Sequence, residues 1–219
     1  MKNVVNTILC VTALTSLYII LCVGLGWFWT IDSFENAEKI NQILINLSYS
    51  YFAGLFFFLL VTQLPYIYKK AKFKPTINEK IKNLNYQIFA CIQTFETEEI
   101  PLNINITKEE LSEILNKNGI YTNSFYAIVA GYQMNNFQFL VSTRGMILDI
   151  INSINNYGEY LKEEQIINIE RIKDSSFLHL ISHYENSPMA QVNYSSNVFR
   201  AALVDELYLV ITYLQVVNK

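Results

Sequence analysis

The chain has 219 residues, of which 52% are hydrophobic and 16% charged, and its formal net charge is -3 at neutral pH. A hydrophobic majority excludes a disordered chain, and three scattered cysteines exclude a disulfide scaffold. The acidic balance excludes a broad electrostatic surface for long nucleic acid.

Two uncharged apolar runs lie near the start of the chain. Residues 4–29 and 47–67 contain no Asp, Glu, Lys or Arg, and about 20 helical residues cross a hydrocarbon core about 30 Å thick. A cleaved secretory signal is the alternative for the first run, because Lys2 precedes it. The run offers no small-residue cleavage site before Trp27 and Trp29. We therefore predict a two-helix transmembrane hairpin over residues 1–68.

A lysine-rich segment, residues 69–82, follows the second run and is termed the lysine collar. It holds six Lys and one Glu, whereas the connector between the runs is mainly acidic. Because Lys and Arg near membrane ends stay on the cytoplasmic side, we predict an inner (plasma) membrane protein with both termini cytoplasmic. We expect the first four collar lysines to contact anionic lipids of the bilayer at about 1 kcal/mol each. They are Lys69, Lys70, Lys72 and Lys74.

Residues 83–219 are predicted to form an acidic helical domain. This part has eight Lys and Arg against fifteen Asp and Glu, a net charge of -7. Two capping boxes, Thr76–Glu79 and Thr107–Glu110, predict helix starts, and the first of these helices runs to about residue 95. We expect a surface loop over residues 96–106, and residues 121–132 fit either a helix or a strand.

Three longer helices are predicted after residue 136. Apolar residues recur at helical spacing over 137–154, 166–181 and 196–217, and the last of these is the most apolar. We expect it at the centre of a bundle or in a subunit interface. Asp205 and Glu206 argue against a third span within it. The predicted fold is all-α, with an N-terminal transmembrane hairpin followed by a cytoplasmic helical bundle.

Few residues have the chemistry of an enzyme or a metal site. His179 and His183 are four residues apart on a predicted helix and could supply two metal ligands, but hydrogen bonding is the simpler interpretation. A membrane-tethered nuclease using Arg171 with either histidine is a further alternative. Its Arg–His spacing exceeds that of the helical HEPN ribonucleases. The chain lacks a Gly-rich phosphate loop and a Gly-x-Ser-x-Gly elbow. We predict no enzymatic activity, no metal and no cofactor.

Small or weakly polar side chains recur along one face of each predicted span. Such faces either let helices pack closely or, repeated around a homo-oligomer, line a pore that a phenylalanine ring closes by dewetting. Both interpretations stay open, and a single hairpin encloses no channel. The residues are Thr12, Ser16, Asn46, Ser50, Ala53, Gly54 and Phe57.

Three arginines, Arg144, Arg171 and Arg200, lie in the long predicted helices of the acidic domain. Because a guanidinium binds phosphate or carboxylate through two parallel hydrogen bonds, we predict that they contact a small anionic ligand. Pairing with the surplus carboxylates of the domain is the alternative.

The stretch Asn46–Ser50, continued through Leu64-Pro65 and the lysines after it, resembles the second span of a widespread group of bacterial two-span proteins. The whole layout is similar to the Hailong-type membrane effectors of anti-phage systems. This resemblance implies an oligomeric channel regulated by short DNA oligomers that a partner nucleotidyltransferase makes.

The functional prediction is therefore a homo-oligomeric membrane effector. We expect its cytoplasmic domain to sense a nucleotide or short oligonucleotide and to gate a pore that disturbs the membrane potential. The alternative from another class is a membrane-anchored helical adaptor or scaffold that conducts nothing.

Overall fold

The computed structural model describes residues 2–24, 37–96, 105–117, 124, 131, 133–185 and 197–218. Every regular element within these ranges is a helix. The all-α prediction is confirmed for this part of the chain. Most of the ambiguous segment 121–132, and residues 97–104 of the expected loop, lie outside the described residues.

The chain divides into two compact units, Met1–Lys72 and Phe73–Lys219. The first unit contains helices α1 (Lys2–Gly24) and α2 (Ala37–Phe58), a π-helical turn (Leu59–Gln63) and the first residues of α3 (Leu64–Gln93). The remainder of α3 belongs to the second unit. Residues 25–36, which include the end of the predicted first span, lie outside the described residues.

Helices α1 and α2 pack together through one face of α2. Ser48 is buried, and Tyr51 donates a hydrogen bond to the Leu9 carbonyl at 3.2 Å. The hydroxyl groups of Thr12 and Tyr51 are also hydrogen-bonded. The Tyr51 side chain thus joins the two helices and satisfies the hydrogen-bonding capacity of the Thr12 hydroxyl.

A π-helical turn follows α2 directly before Pro65. The Leu64 amide donates to the Leu59 carbonyl, five residues earlier. Proline lacks the amide that would continue the helical ladder, and its ring crowds the carbonyl four residues back. The wider turn is where the helix accommodates this proline.

One helix in the described part of the chain is long and apolar enough to cross a membrane. It runs over Glu38–Gln93, and only 6% of its most apolar window is buried. A core helix of a soluble protein is mostly buried, so this stretch is of a different kind. In α1, residues Leu9–Val23 form a shorter apolar helix.

The second unit is built around its last helix, α8 (Asn197–Val217), as the apolar pattern predicted. The side chains of Leu203, Leu207, Ile211 and Leu214 are at most 2% exposed. Three helices pack on α8: α4 (Lys108–Lys117), α6 (Glu163–Lys173) and α7 (Ser176–Glu185). Helix α5 (Asn136–Asn155) packs on α6 and α7, and a 3-10 turn (Gly158–Tyr160) lies between α5 and α6 in the sequence.

The helix start predicted at the Thr76 capping box is wrong. Helix α3 begins at Leu64 and continues through Pro75. Phe73 packs on two tyrosine rings, and Ile77, four residues later on the same face, is buried. Packing along this face offsets the hydrogen bond that Pro75 removes.

The Thr107 capping box is confirmed. The Glu110 amide donates to the Thr107 hydroxyl at 3.2 Å, and the Thr107 amide donates to the Glu110 carboxylate at 2.8 Å. The single helix expected over residues 166–181 is wrong, because α6 ends at Lys173 and α7 begins at Ser176. Ser175 interrupts the helix and accepts a hydrogen bond from the Leu178 amide.

Candidate functional site

The face of α2 that carries the predicted small and polar residues is exposed and lies away from α1. Asn46, Ser50, Ala53 and Gly54 are all exposed, and Phe57 is 67% exposed. A Cβ atom built on Gly54 would meet no atom within 4 Å. The hairpin therefore leaves this face uncovered. Helix α1 contacts the other side of α2, where Tyr51 is hydrogen-bonded to α1 and Ser48 is buried.

The two predicted residues of α1 differ from those of α2 in their surroundings. Thr12 is hydrogen-bonded to Tyr51 and so belongs to the contact between the helices. Ser16 is half-buried. Sequence reasoning missed Tyr51 as the polar residue of this contact. The spacing in the sequence could have indicated it, because Tyr51 lies three residues after Ser48 and so on the same face of the helix.

The first four lysines of the collar are exposed, while the phenylalanine among them is packed. Lys70 stacks over the Tyr66 ring at 5.9 Å. The Phe73 ring lies 5.3 Å from the Tyr157 ring and 5.4 Å from the Tyr160 ring, measured between centroids. Nearby, Lys80 donates a hydrogen bond to the Ser153 hydroxyl. The second unit thus holds the collar helix from Phe73 onward.

Each of the three predicted arginines has different neighbours. Arg144 donates from Nε to the Leu178 carbonyl at 2.9 Å and so joins α5 to α7. Arg171 stacks on the Tyr213 ring at 5.6 Å. The Nε atom of Arg200 is buried and has no hydrogen-bond partner among the described residues. Two of the three side chains therefore have contacts that stabilise the domain.

Arg171 lies in an open groove of about 580 Å³ formed by α6, α7 and α8, here termed the acidic groove. Three carboxylates line it, those of Glu170, Asp174 and Glu206. With one guanidinium against them, the charge of the lining is -2. A net negative lining opposes binding of the anion that was predicted for Arg171. The apolar part of the lining comprises Ile166, Ile167, Leu209 and Tyr213.

The carboxylates of the acidic groove differ in what they contact. Glu170 accepts a hydrogen bond from Asn155 at 2.6 Å and lies 3.7 Å from the Lys173 ammonium. For Asp174 and Glu206, no ion pair or hydrogen bond to the carboxylate occurs within the described ranges. Two carboxylates of the groove are therefore available to an external cation.

A second groove, of about 450 Å³, lies between α4 and α8. Lys108 forms an ion pair with Asp205 at 2.8 Å across it, and this contact raises the pKa of the Lys108 ammonium. Both side chains are about half exposed, so the pair adds little to stability. Glu109 and Ser112 also line this groove.

The two histidines lie on α7 and are both exposed. Among the residues that the structure describes, no group of three or more His, Cys, Asp and Glu side chains could hold a metal ion.

Sequence reasoning missed a buried polar cluster at the end of α3. Thr94 is hydrogen-bonded to the Ser124 hydroxyl and donates to the Asn136 side chain at 3.3 Å. The buried Glu96 carboxylate binds the Lys117 ammonium at 2.7 Å. These residues come from distant parts of the sequence, so no local spacing indicates their contact. Their hydrogen bonds hold the domain together and leave little reactive chemistry.

No family model, no curated protein and no solved structure matches this chain.

Proposed function

We propose that this protein is a homo-oligomeric inner-membrane effector whose second helices surround a gated pore. In this proposal α1 and α2 cross the membrane as a hairpin, and the helical domain and both termini are cytoplasmic. Opening of the pore disturbs the membrane potential, as an anti-phage effector would do. The protein has no enzymatic role.

The observation that carries the proposal is the uncovered face of α2. Asn46 and Ser50 are hydrogen-bonding groups, and placing them against lipid costs free energy. Ala53 and Gly54 leave room for a close neighbour or for water. Because α1 packs on the opposite side, this face needs either further copies of the chain or a water-filled path. A ring of hairpins supplies both.

The gate in this proposal is the ring of Phe57. It follows Gly54 by about one turn on the same face and is 67% exposed. A ring of phenylalanines can exclude water from a narrow pore, and rotation of α2 by a fraction of a turn removes the rings from the path. Phe56 has nearly the same exposure, 64%, but lies about 100° away around the helix.

The signal in this proposal reaches the spans through α3. This helix contains the collar lysines and continues to residues buried in the second unit, among them Ile81, Leu84 and Ile88. A ligand of the domain shifts the pore toward the open or the closed state only if it binds the two states with different affinity. The proposed regulator is a nucleotide or short oligonucleotide made by a partner nucleotidyltransferase. Its proposed contact in the domain is Arg200, whose buried Nε has no hydrogen-bond partner among the described residues.

Substituted-cysteine labelling tests the pore. In a background with Cys10 and Cys22 replaced by alanine, Gly54→Cys should react with a charged, water-soluble thiol reagent. The matched control is Phe56→Cys, at a similar depth but facing lipid, and it should react far more slowly. A passive adaptor predicts slow labelling at both positions, and that result would exclude a water-filled path along this face.

A further inference from the structure

The acidic groove has the features of a docking surface for a basic helix. In the described part of the second unit, four large apolar side chains are more than a third exposed: Tyr86, Met146, Ile167 and Leu209. Two of the four, Ile167 and Leu209, line the acidic groove. Exposed aliphatic groups beside unpaired carboxylates are typical of a surface that a partner covers.

The charge of the groove selects the chemistry of its occupant. Within the described ranges the Asp174 and Glu206 carboxylates have no ion pair or hydrogen bond, and Arg171, the one cation that lines the groove there, stacks on Tyr213. An anion would meet three carboxylates, whereas a lysine side chain would meet two free acceptors and an apolar floor for its methylene groups. The occupant is therefore a cationic segment with apolar side chains between its charges.

The collar of this chain has that chemistry. Lys69, Lys70, Lys72 and Lys74 are all exposed. Directly before them, Ile67 and Tyr68 are 57% and 70% exposed, so apolar groups accompany the charges. On a helix, residues four apart lie on one face. The Cβ atoms of Lys70 and Lys74 are therefore about 6 Å apart, and both side chains extend from the same face.

We propose that the acidic groove receives the lysine collar of a second copy of this chain. The inference rests on the homo-oligomer of the proposed function and adds the contact by which neighbouring copies recognise each other. Lys70 of one copy then pairs with Glu206 of its neighbour and Lys74 with Asp174, while Ile67 covers the exposed aliphatic side chains of the groove. Helix-in-groove recognition with complementary charge fixes both the partner and the register.

Cross-linking between differently tagged copies tests this contact in native membranes. Both copies lack Cys10 and Cys22, and they retain Cys91, which is fully buried. One tagged copy carries Lys70→Cys and the other carries Glu206→Cys. A short bifunctional maleimide should join the two tags. The matched control replaces Glu206→Cys with Glu109→Cys, an exposed acidic position in the other groove, and should give several-fold less product.

Charge reversal supplies a second test, in which the cysteine positions stay fixed and only the charges change. With the reporter cysteines moved to Lys74 and Asp174, Glu206→Lys should lower the cross-link yield several-fold, and Lys70→Glu in the other copy should restore it. Restoration by the reversed pair supports direct contact, because two independent lesions would add. No restoration would overturn the proposed pairing.

The outcomes separate this inference from the proposed function. Tagged copies that co-purify but do not cross-link, or that cross-link equally at Glu109→Cys, overturn the docking contact and leave the oligomer standing. Copies that do not co-purify overturn both the contact and the homo-oligomer. A basic segment of another protein is excluded as the occupant when the cross-link forms between the two tags.

Discussion

Replacing Phe73 with alanine should destabilise the second unit more than any other change at an incompletely buried position of α3. Phe73 is half-buried, and its ring is within stacking distance of Tyr157 and Tyr160. Replacing a fully buried Phe with Ala costs about 3–5 kcal/mol of stability. Each pair of contacting aromatic rings contributes about 0.5–1.5 kcal/mol in addition to the burial of its apolar surface. For a half-buried ring with two such pairs we expect a loss of about 2–3 kcal/mol.

Thermal unfolding of the full chain in detergent, followed by the tyrosine signal in near-ultraviolet circular dichroism, measures this loss. For a unit of this size, about 1 kcal/mol shifts Tm by about 2–4 °C, so Phe73→Ala should lower Tm by about 5–10 °C. The control is Asn78→Ala, at an exposed position of the same helix, which should change stability by less than about 0.5 kcal/mol. Equal effects of the two variants would refute the packing assigned to Phe73.

Three further predictions concern a buried thiol, a buried ion pair and topology. Burial raises the pKa of Cys91 to about 12, so the folded state disfavours its thiolate. This contribution to stability is complete below about pH 9 and is lost as pH rises toward 12. In urea denaturation, the Cys91→Ala variant should therefore lose less stability than the wild type between about pH 9 and pH 12. Lys117→Met leaves the buried Glu96 carboxylate without its cation, and it should cost about 2 kcal/mol in the same assay, with Glu96→Gln costing less. A reporter enzyme fused after Lys219 should be active in the cytoplasm and one inserted near Glu35 in the periplasm, and the reverse result would overturn the orientation.

The sequence predicted helices well where the packing that stabilises them is local. The Thr107 capping box and the apolar stripe of α8 both correspond to observed helices. It failed at Thr76, because the cap motif there competes with contacts made by Phe73 and the buried Ile77. The partners of Phe73 are Tyr157, just after α5, and Tyr160 of the 3-10 turn, and no spacing within α3 reveals them.

The candidate sites show the same division. Periodicity identified the face of α2 that carries Ser50 and Gly54, because that face depends only on helical geometry. It could not show that Arg171 shares a groove with Glu206 and stacks on Tyr213, since α6 and α8 meet only in the folded domain. The net negative charge of that groove lining follows from tertiary packing and could not be read from the arginine's position in the sequence.

Membrane polarisation in cells expressing Phe57→Ser tests the central claim most directly. Removing the hydrophobic ring should let water and ions through, and a potential-sensitive dye should report depolarisation, normalised to the protein in the membrane. Phe56→Ser, with the same substitution and nearly the same exposure, should leave the potential unchanged. Adding Gly54→Leu to Phe57→Ser should occlude the path and restore the potential. Equal potentials for the Phe57 and Phe56 variants at equal abundance would contradict a pore along this face of α2.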